Sequence, residues 1–145
     1  MKKQLNIYKI APKAFEAMMG LENYLAQSGL DKNLFELIKT RASQINGCAY
    51  CINMHTHDAM KIGETAQRLF LLAVWRKSKL FTDKEKAVLS LTEAMTLIAD
   101  RSVSDQIYDT AKNHLTEQEF AAAIMAVVAI NGWNRIAITS QSSLD

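Results

Sequence analysis

The chain has 145 residues, 49% of them hydrophobic and 22% charged, which fits one globular domain over 1–145 and excludes a disordered chain. Seventeen Lys and Arg against fifteen Asp and Glu leave a formal charge of +2, with no basic stripe and no block of like charge, which argues against a nucleic-acid partner. A chain of this size buries roughly 68 to 70% of the surface its unfolded form exposes, enough for a core without metal or disulfide staples.

One proline and five glycines are too few turn formers for a sandwich or barrel of many strands, so the expectation is an all-α fold of six to seven helices. Lys9 interrupts the apolar stretch behind Lys2 and Lys3, so the h-region of a signal peptide is missing and a cytoplasmic protein is expected. Pro12 suits the first position of a helix that runs through Phe15, Met18, Met19, Glu22 and Leu25 to Gly29. Asp31 to Ile45 carries Leu34, Leu37, Ile38, Ala42 and Ile45 on one stripe, with Gly47 as its stop. Cys48 to Lys61, free of Pro and Gly, reads as the third helix and stops at Gly63. A fourth is expected from Glu64 to Lys77, with Leu69, Leu72, Ala73 and Arg76 alternating with Phe70, Val74 and Trp75 at positions a buried amphipathic helix would use.

Thr82-Asp-Lys-Glu85 has the form of a capping box and opens a helix to about Ala99. Ser104 can cap a shorter one to His114, and Thr116-Glu-Gln-Glu119 is a second box before a long segment that ends near Ile138. Its apolar run, Phe120 to Ile130, is shorter than the roughly 18 residues of a membrane span, so a buried helix and no membrane partner are expected. Being apolar all round, the run asks to be covered on every side, which points to a homo-oligomer. No repeat, linker or low-complexity segment divides the chain, and the polar tail Ser140 to Asp145 is expected to fray.

The two cysteines, Cys48 and Cys51, lie three apart, a spacing that in a reducing compartment points to redox or metal chemistry. On a helix, Cys48, Cys51 and His55 fall within about 60° of one another. The cysteine Cα atoms lie near the roughly 4.4 to 6.8 Å that a disulfide tolerates. His55 stands one turn from Cys51 and two from Cys48, so Cys51 is the better activated thiol. A c-type haem site would need His where Ile52 stands. A zinc site of Cys48, Cys51, His55 and His57 is disfavoured because His57 points about 160° from His55. A thioredoxin-like unit would need strands beside the motif, and both flanks read as helix. Two apolar cysteines packed at helical spacing by chance remain an alternative.

The stretch Glu36-Leu-Ile-Lys-Thr-Arg-Ala-Ser-Gln-Ile-Asn-Gly-Cys48-Ala-Tyr-Cys51-Ile-Asn-Met-His55-Thr-His-Asp58 resembles the core motif of the alkylhydroperoxidase D-like (AhpD-like), carboxymuconolactone decarboxylase superfamily, in which Glu is followed by CxxC and then His. The likeness continues through Gly63-Glu64, Trp75-Arg76, the Phe81 to Thr96 stretch with Glu85 and Glu93, and Ile130-Asn-Gly-Trp-Asn-Arg-Ile136, so it covers most of the chain. It implies an all-α, oligomeric thiol enzyme, a trimer or hexamer, that reduces hydroperoxides without cofactor or metal and is recycled by an external dithiol. By the same resemblance Glu36 is the relay base, Cys48 the resolving thiol, Cys51 the peroxidatic thiol and His55 the relay imidazole. The archetype has a second His between its cysteines where this chain has Tyr50, a group whose ordinary pKa near 10 suits proton shuttling less well. The resemblance also implies that decarboxylases proper lack the cysteine pair, which places thiol chemistry ahead of decarboxylation.

The same residues have plainer readings. Glu36, between Lys32 and Lys39 on its helix, could be a solvated carboxylate, and Asp58 could either orient His55 or face water. His57 and His114 read as surface residues. Trp75 and Trp133 read as packing or interface anchors and the methionines as core filler. A non-catalytic oligomeric redox-sensing or interaction module, or a thiol-disulfide reductase or decarboxylase-family member with another substrate, is the alternative to a peroxidase.

Overall fold

The caps read from the sequence reappear as hydrogen bonds in the computed structural model, which describes residues 4–142 and 144: Ser104 accepts the Ile107 N–H, and both capping boxes close reciprocally, Thr82 with Glu85 and Thr116 with Glu119. Asp31 and Thr65, not read as caps, likewise accept a backbone N–H three residues on. The elements are α1 (Ile7–Ile10), α2 (Pro12–Gln27), α3 (Lys32–Asn46), α4 (Ala49–Lys61), α5 (Ala66–Leu71), a 3-10 segment (Leu72–Lys77), α6 (Asp83–Thr96), α7 (Asp105–His114) and α8 (Glu117–Thr139). Among the described residues there is no strand, so the all-α expectation holds.

Two local differences raise the helix count above seven. Asn6 accepts the Lys9 N–H and starts the short α1, which ends at Ala11 because the residue before a proline is pushed out of the helical region. The fourth expected helix is α5 followed by the 3-10 segment, and Val74 is non-helical. Its buried side chains, Leu69, Leu72 and Trp75, recur every three residues, the period at which a 3-10 helix aligns side chains. Phe70 and Val74, expected on the packed face, are exposed.

The tail departs from the fraying expectation up to Ser142. Ser140 is buried, its carbonyl accepts the Leu5 N–H at 3.3 Å, and the Ser142 N–H reaches Ala137 O at 2.9 Å; Ser143 and Asp145, like Lys2 and Lys3, lie outside the described residues. By length and composition α8 could cross a membrane. In this fold one side of it packs on α2, α3 and α6, while Ala121 and Val128, seven apart, remain exposed on the other.

Helix α3 is the axis of the fold. Leu34 and Ile38 join one cluster with Leu25, Val88 and Val127, and Leu37 joins a second with Ala59, Leu72, Trp75 and Leu89. Being packed on several sides, α3 also buries Lys39, Thr40 and Ser43, which a single apolar stripe does not foretell. Glu93 of α6 ties three elements together. It accepts from Arg41 Nε at 2.9 Å, from Trp75 Nε1 at 2.8 Å and from Arg76. Burial alone would raise its carboxyl, but the bonds from Arg76, Trp75 and Arg41 outweigh that and hold it below the ordinary carboxylate range.

Candidate active site

Gly47 sets where the site begins. Its φ of 69° lies in the left-handed region that only glycine enters without a Cβ penalty, and its N–H returns to the carbonyls of Ser43 and Gln44. Gly47 and Cys48 alone separate α3 from α4. Asn46, at the end of α3, donates to the side-chain oxygens of Asn131 and Asn134 on α8 at 3.0 and 2.9 Å. Asn134 in turn donates to Ser43 Oγ at 2.9 Å. This polar seam fixes the turn, and with it the start of α4, against α8.

Cys48 is the N-cap of α4 rather than its first helical residue, and its sulfur accepts the Cys51 N–H at 3.3 Å. The two Cα atoms are 5.3 Å apart and the sulfurs are joined as a disulfide, within the range such a bridge requires. Both cysteines are 2% exposed, packed with Ala137 of α8. The helix N-terminus presents partial positive charge here, which favours a thiolate over a thiol once the bridge is reduced.

One turn beyond Cys51, His55 is also buried, and its Nδ1 lies 2.9 Å from Glu36 Oε2. An ionised carboxylate only accepts, so Nδ1 carries the hydrogen and Nε2 is left as the acceptor of the ring. Glu36 is therefore not a solvated carboxylate; its side chain is 13% exposed. The plainer reading assumed lysine partners on its own helix. Lys39 turns instead to Glu22 of α2, Nζ to Oε2 2.7 Å, and lies 4.1 Å above the Phe35 ring.

A cavity of about 400 Å³ opens onto Cys51, His55 and Glu36, while Cys48 stands behind its wall. Tyr8, Phe15, Phe35, Met19, Met54 and Trp133 supply much of the remaining surface. Tyr8 meets Phe15 edge-on at 4.4 Å, and Phe15 meets Trp133 at 5.8 Å. Trp133 donates to Glu22 Oε1 at 2.8 Å, so the carboxylate that holds Lys39 is itself anchored. Tyr50 lies on the rim, partly exposed.

The four residues singled out by sequence, Glu36, Cys48, Cys51 and His55, thus meet at one place. Asp58 does not hold the imidazole; it sits at the rim with Lys61 at 3.5 Å, both side chains well exposed. Its carboxylate nevertheless lies within 4.8 Å of the Glu36 and His55 ligand atoms, the grouping of His and acidic residues best placed for a shared cation among the described residues. His57 is exposed. Sequence reasoning missed Tyr8, Phe15, Glu22 and Lys39 as cavity residues and read Trp133 only as an anchor. No local pattern links them, since the Trp133–Glu22 bond spans 111 positions.

The comparisons with known proteins agree with this geometry. The model of the carboxymuconolactone decarboxylase family matches residues 12–94, more than half of the chain. The uncharacterized protein YdfG of Bacillus subtilis is 42% identical over 138 residues, 95% of this chain and 94% of that one. The alkyl hydroperoxide reductase AhpD of Corynebacterium aurimucosum is 38% identical over 48 residues, 33% of this chain and 27% of its own length. The crystal structure of ATU0492 from Agrobacterium tumefaciens, a protein of unknown function, superposes with a TM-score of 0.93 at 41% identity, covering 98% of this chain and 97% of the other. With an AhpD-like fold and a cysteine pair at disulfide distance, the chain belongs to the carboxymuconolactone decarboxylase family.

Proposed function

We propose that the protein is a CxxC thiol peroxidase that reduces hydroperoxides through Cys51 and Cys48, with Glu36 and His55 relaying the proton. The observation that carries this reading is the convergence of Cys51, His55 and Glu36 on one cavity wall, with Glu36 bound to His55 Nδ1. Nε2 takes the proton of the Cys51 thiol, and the carboxylate steadies the imidazolium that forms. The thiolate attacks the terminal peroxide oxygen, the O–O bond breaks, and the relay returns the proton to the leaving alkoxide. The products are Cys51 sulfenic acid and an alcohol. Cys48 then displaces hydroxide from the sulfenic sulfur, forming the disulfide and water. An external dithiol reduces the pair and is itself oxidised to a disulfide.

The chemistry needs neither metal nor organic cofactor, and a dithiol-supplying cytoplasm suits it. Self-association is supported by the exposed Ala121 and Val128 of α8 and by Phe70, 76% exposed, and the count, a trimer or hexamer, is what the family resemblance implies.

The test is to trap sulfenic acid with a dimedone-type reagent in each single mutant and locate it by mass spectrometry. Cys51→Ser is expected to give no reaction with peroxide, and Cys48→Ser one reaction per site with the label on Cys51. Label on Cys48 in Cys51→Ser, with none on Cys51 in Cys48→Ser, reverses the thiol roles. A wild-type protein that oxidises once and then fails to consume peroxide with dithiol supplied is a sensor, and the catalytic reading falls.

A further inference from the structure

The charges around the cavity do not balance. Lys39 is the cation on its wall, but its ammonium is committed to Glu22 at 2.7 Å, rests on the Phe35 ring, and is almost fully buried. That pair is electrically closed, because Glu22 spends its other oxygen on Trp133. What remains is Glu36 and Asp58, two carboxylates whose oxygens lie within 4.8 Å of each other and of His55. The Glu36 partner is an imidazole, and the Asp58 partner is Lys61 at 3.5 Å, 63% exposed, a solvated pair that cancels little inside the cavity. When Cys51 is a thiolate its proton rests on His55, so that ion pair adds no net charge and the two carboxylates remain the excess. Against this stands an apolar wall of Phe15, Met19, Met54 and Trp133, wide enough for a substituted aromatic ring.

We infer that this cavity takes uncharged, apolar organic hydroperoxides and turns away those that carry a carboxylate, with Asp58 as the rim residue that sets the exclusion. The inference rests on the peroxidase reading and adds to it a substrate class. A carboxylate bound near Cys51 meets like charges across a partly desolvated space, where repulsion is screened far less than in water.

The experiment compares cumene hydroperoxide bearing a para-carboxylate with its methyl ester, using the reduced full-length protein at low ionic strength. The rate of Cys51 oxidation is followed by stopped flow, with hydrogen peroxide as the small uncharged reference. The ester is expected to react about tenfold faster than the acid. Asp58→Asn is expected to raise the acid rate relative to the ester several-fold, and added salt to narrow the gap. Equal rates, or a faster acid, overturn the inference, and an acid preference that vanishes in Lys39→Met assigns the ammonium as a carboxylate anchor instead.

If no hydroperoxide oxidises Cys51, the peroxidase reading fails separately. Charge selection is then read from binding of the corresponding alcohols, acid and ester, to the oxidised protein by quenching of Trp133 fluorescence. About tenfold tighter binding of the ester upholds it, and equal binding ends it.

Discussion

Glu93 is buried and Glu36 half-buried, and the two carboxylates are held by different donors. Glu93 receives hydrogen bonds from two guanidinium groups and an indole, so its negative charge is fixed and its proton is kept away. Glu36 is held by a single imidazole and borders a cavity, the setting in which the proposed relay needs it to balance a proton arriving on the ring. Burial alone does not mark a carboxylate as chemical; the number and kind of its donors decide. A carboxylate saturated by cations is a strut, whereas one tied to an imidazole beside a cavity is the kind that the proposed relay uses.

Exchanging each carboxylate for its amide breaks the comparison at its strongest point. Glu36→Gln preserves shape and an acceptor oxygen but removes the negative charge that stabilises the imidazolium. Peroxide turnover is expected to fall about 10²- to 10⁴-fold, with a melting temperature close to that of the wild type. A variant that keeps full activity in a steady-state assay would return Glu36 to the structural class.

Glu93→Gln is expected to do the reverse. Two guanidinium groups lose their counter-charge, and stability drops by about 3 kcal/mol, read as a midpoint shift in urea at unchanged slope. The pH dependence follows from the direction of the Glu93 shift. Because its folded carboxyl lies below the ordinary value of 4.5, its contribution is complete above that value and drains away as pH falls through the folded one. Wild type and variant are therefore expected to converge in stability as pH falls below 4.5 and through the depressed folded value, measured by thermal melts across an acid series. A constant gap across that range would remove Glu93 as its source.

The smallest effect is expected at Glu119, the carboxylate nearer to solvent. The bond from Lys84, with the Thr116 backbone N–H, lowers its carboxyl, but Lys84 is 39% exposed. Lys84→Ala is expected to cost at most about 1 kcal/mol and to lose even that in high salt. A larger, salt-insensitive loss would mean that Lys84 acts through its aliphatic stem.

The comparison also shows what a sequence can carry. Capping boxes, stop glycines and the Glu-CxxC-His spacing are local, so the caps of α6, α7 and α8 and the quartet at 36, 48, 51 and 55 were readable from neighbours in the chain. The 3-10 segment was misread because Phe70 and Val74 suit a 3.6-residue face as well as Leu69 and Trp75 suit a three-residue one. The Glu36–His55 bond needed a tertiary fact, that Lys39 finds Glu22 on another helix and so leaves Glu36 to the imidazole. Lys39 and Trp133 looked like a surface charge and a packing anchor because their partners lie 17 and 111 positions away.

The turn at Gly47 has a further consequence for how such a protein can diversify. It folds the proposed relay pair out of one short stretch, since Glu36 and His55 are only 19 positions apart, and their mutual placement is decided by two helices meeting at two residues. The cavity walls come partly from the same hairpin, from Phe35, Met54 and Asp58, and partly from α1, α2 and the far end of α8. Only that second share of the wall can vary without touching the hairpin. Drift in the outer helices can reshape what enters while leaving the reactive hairpin in register.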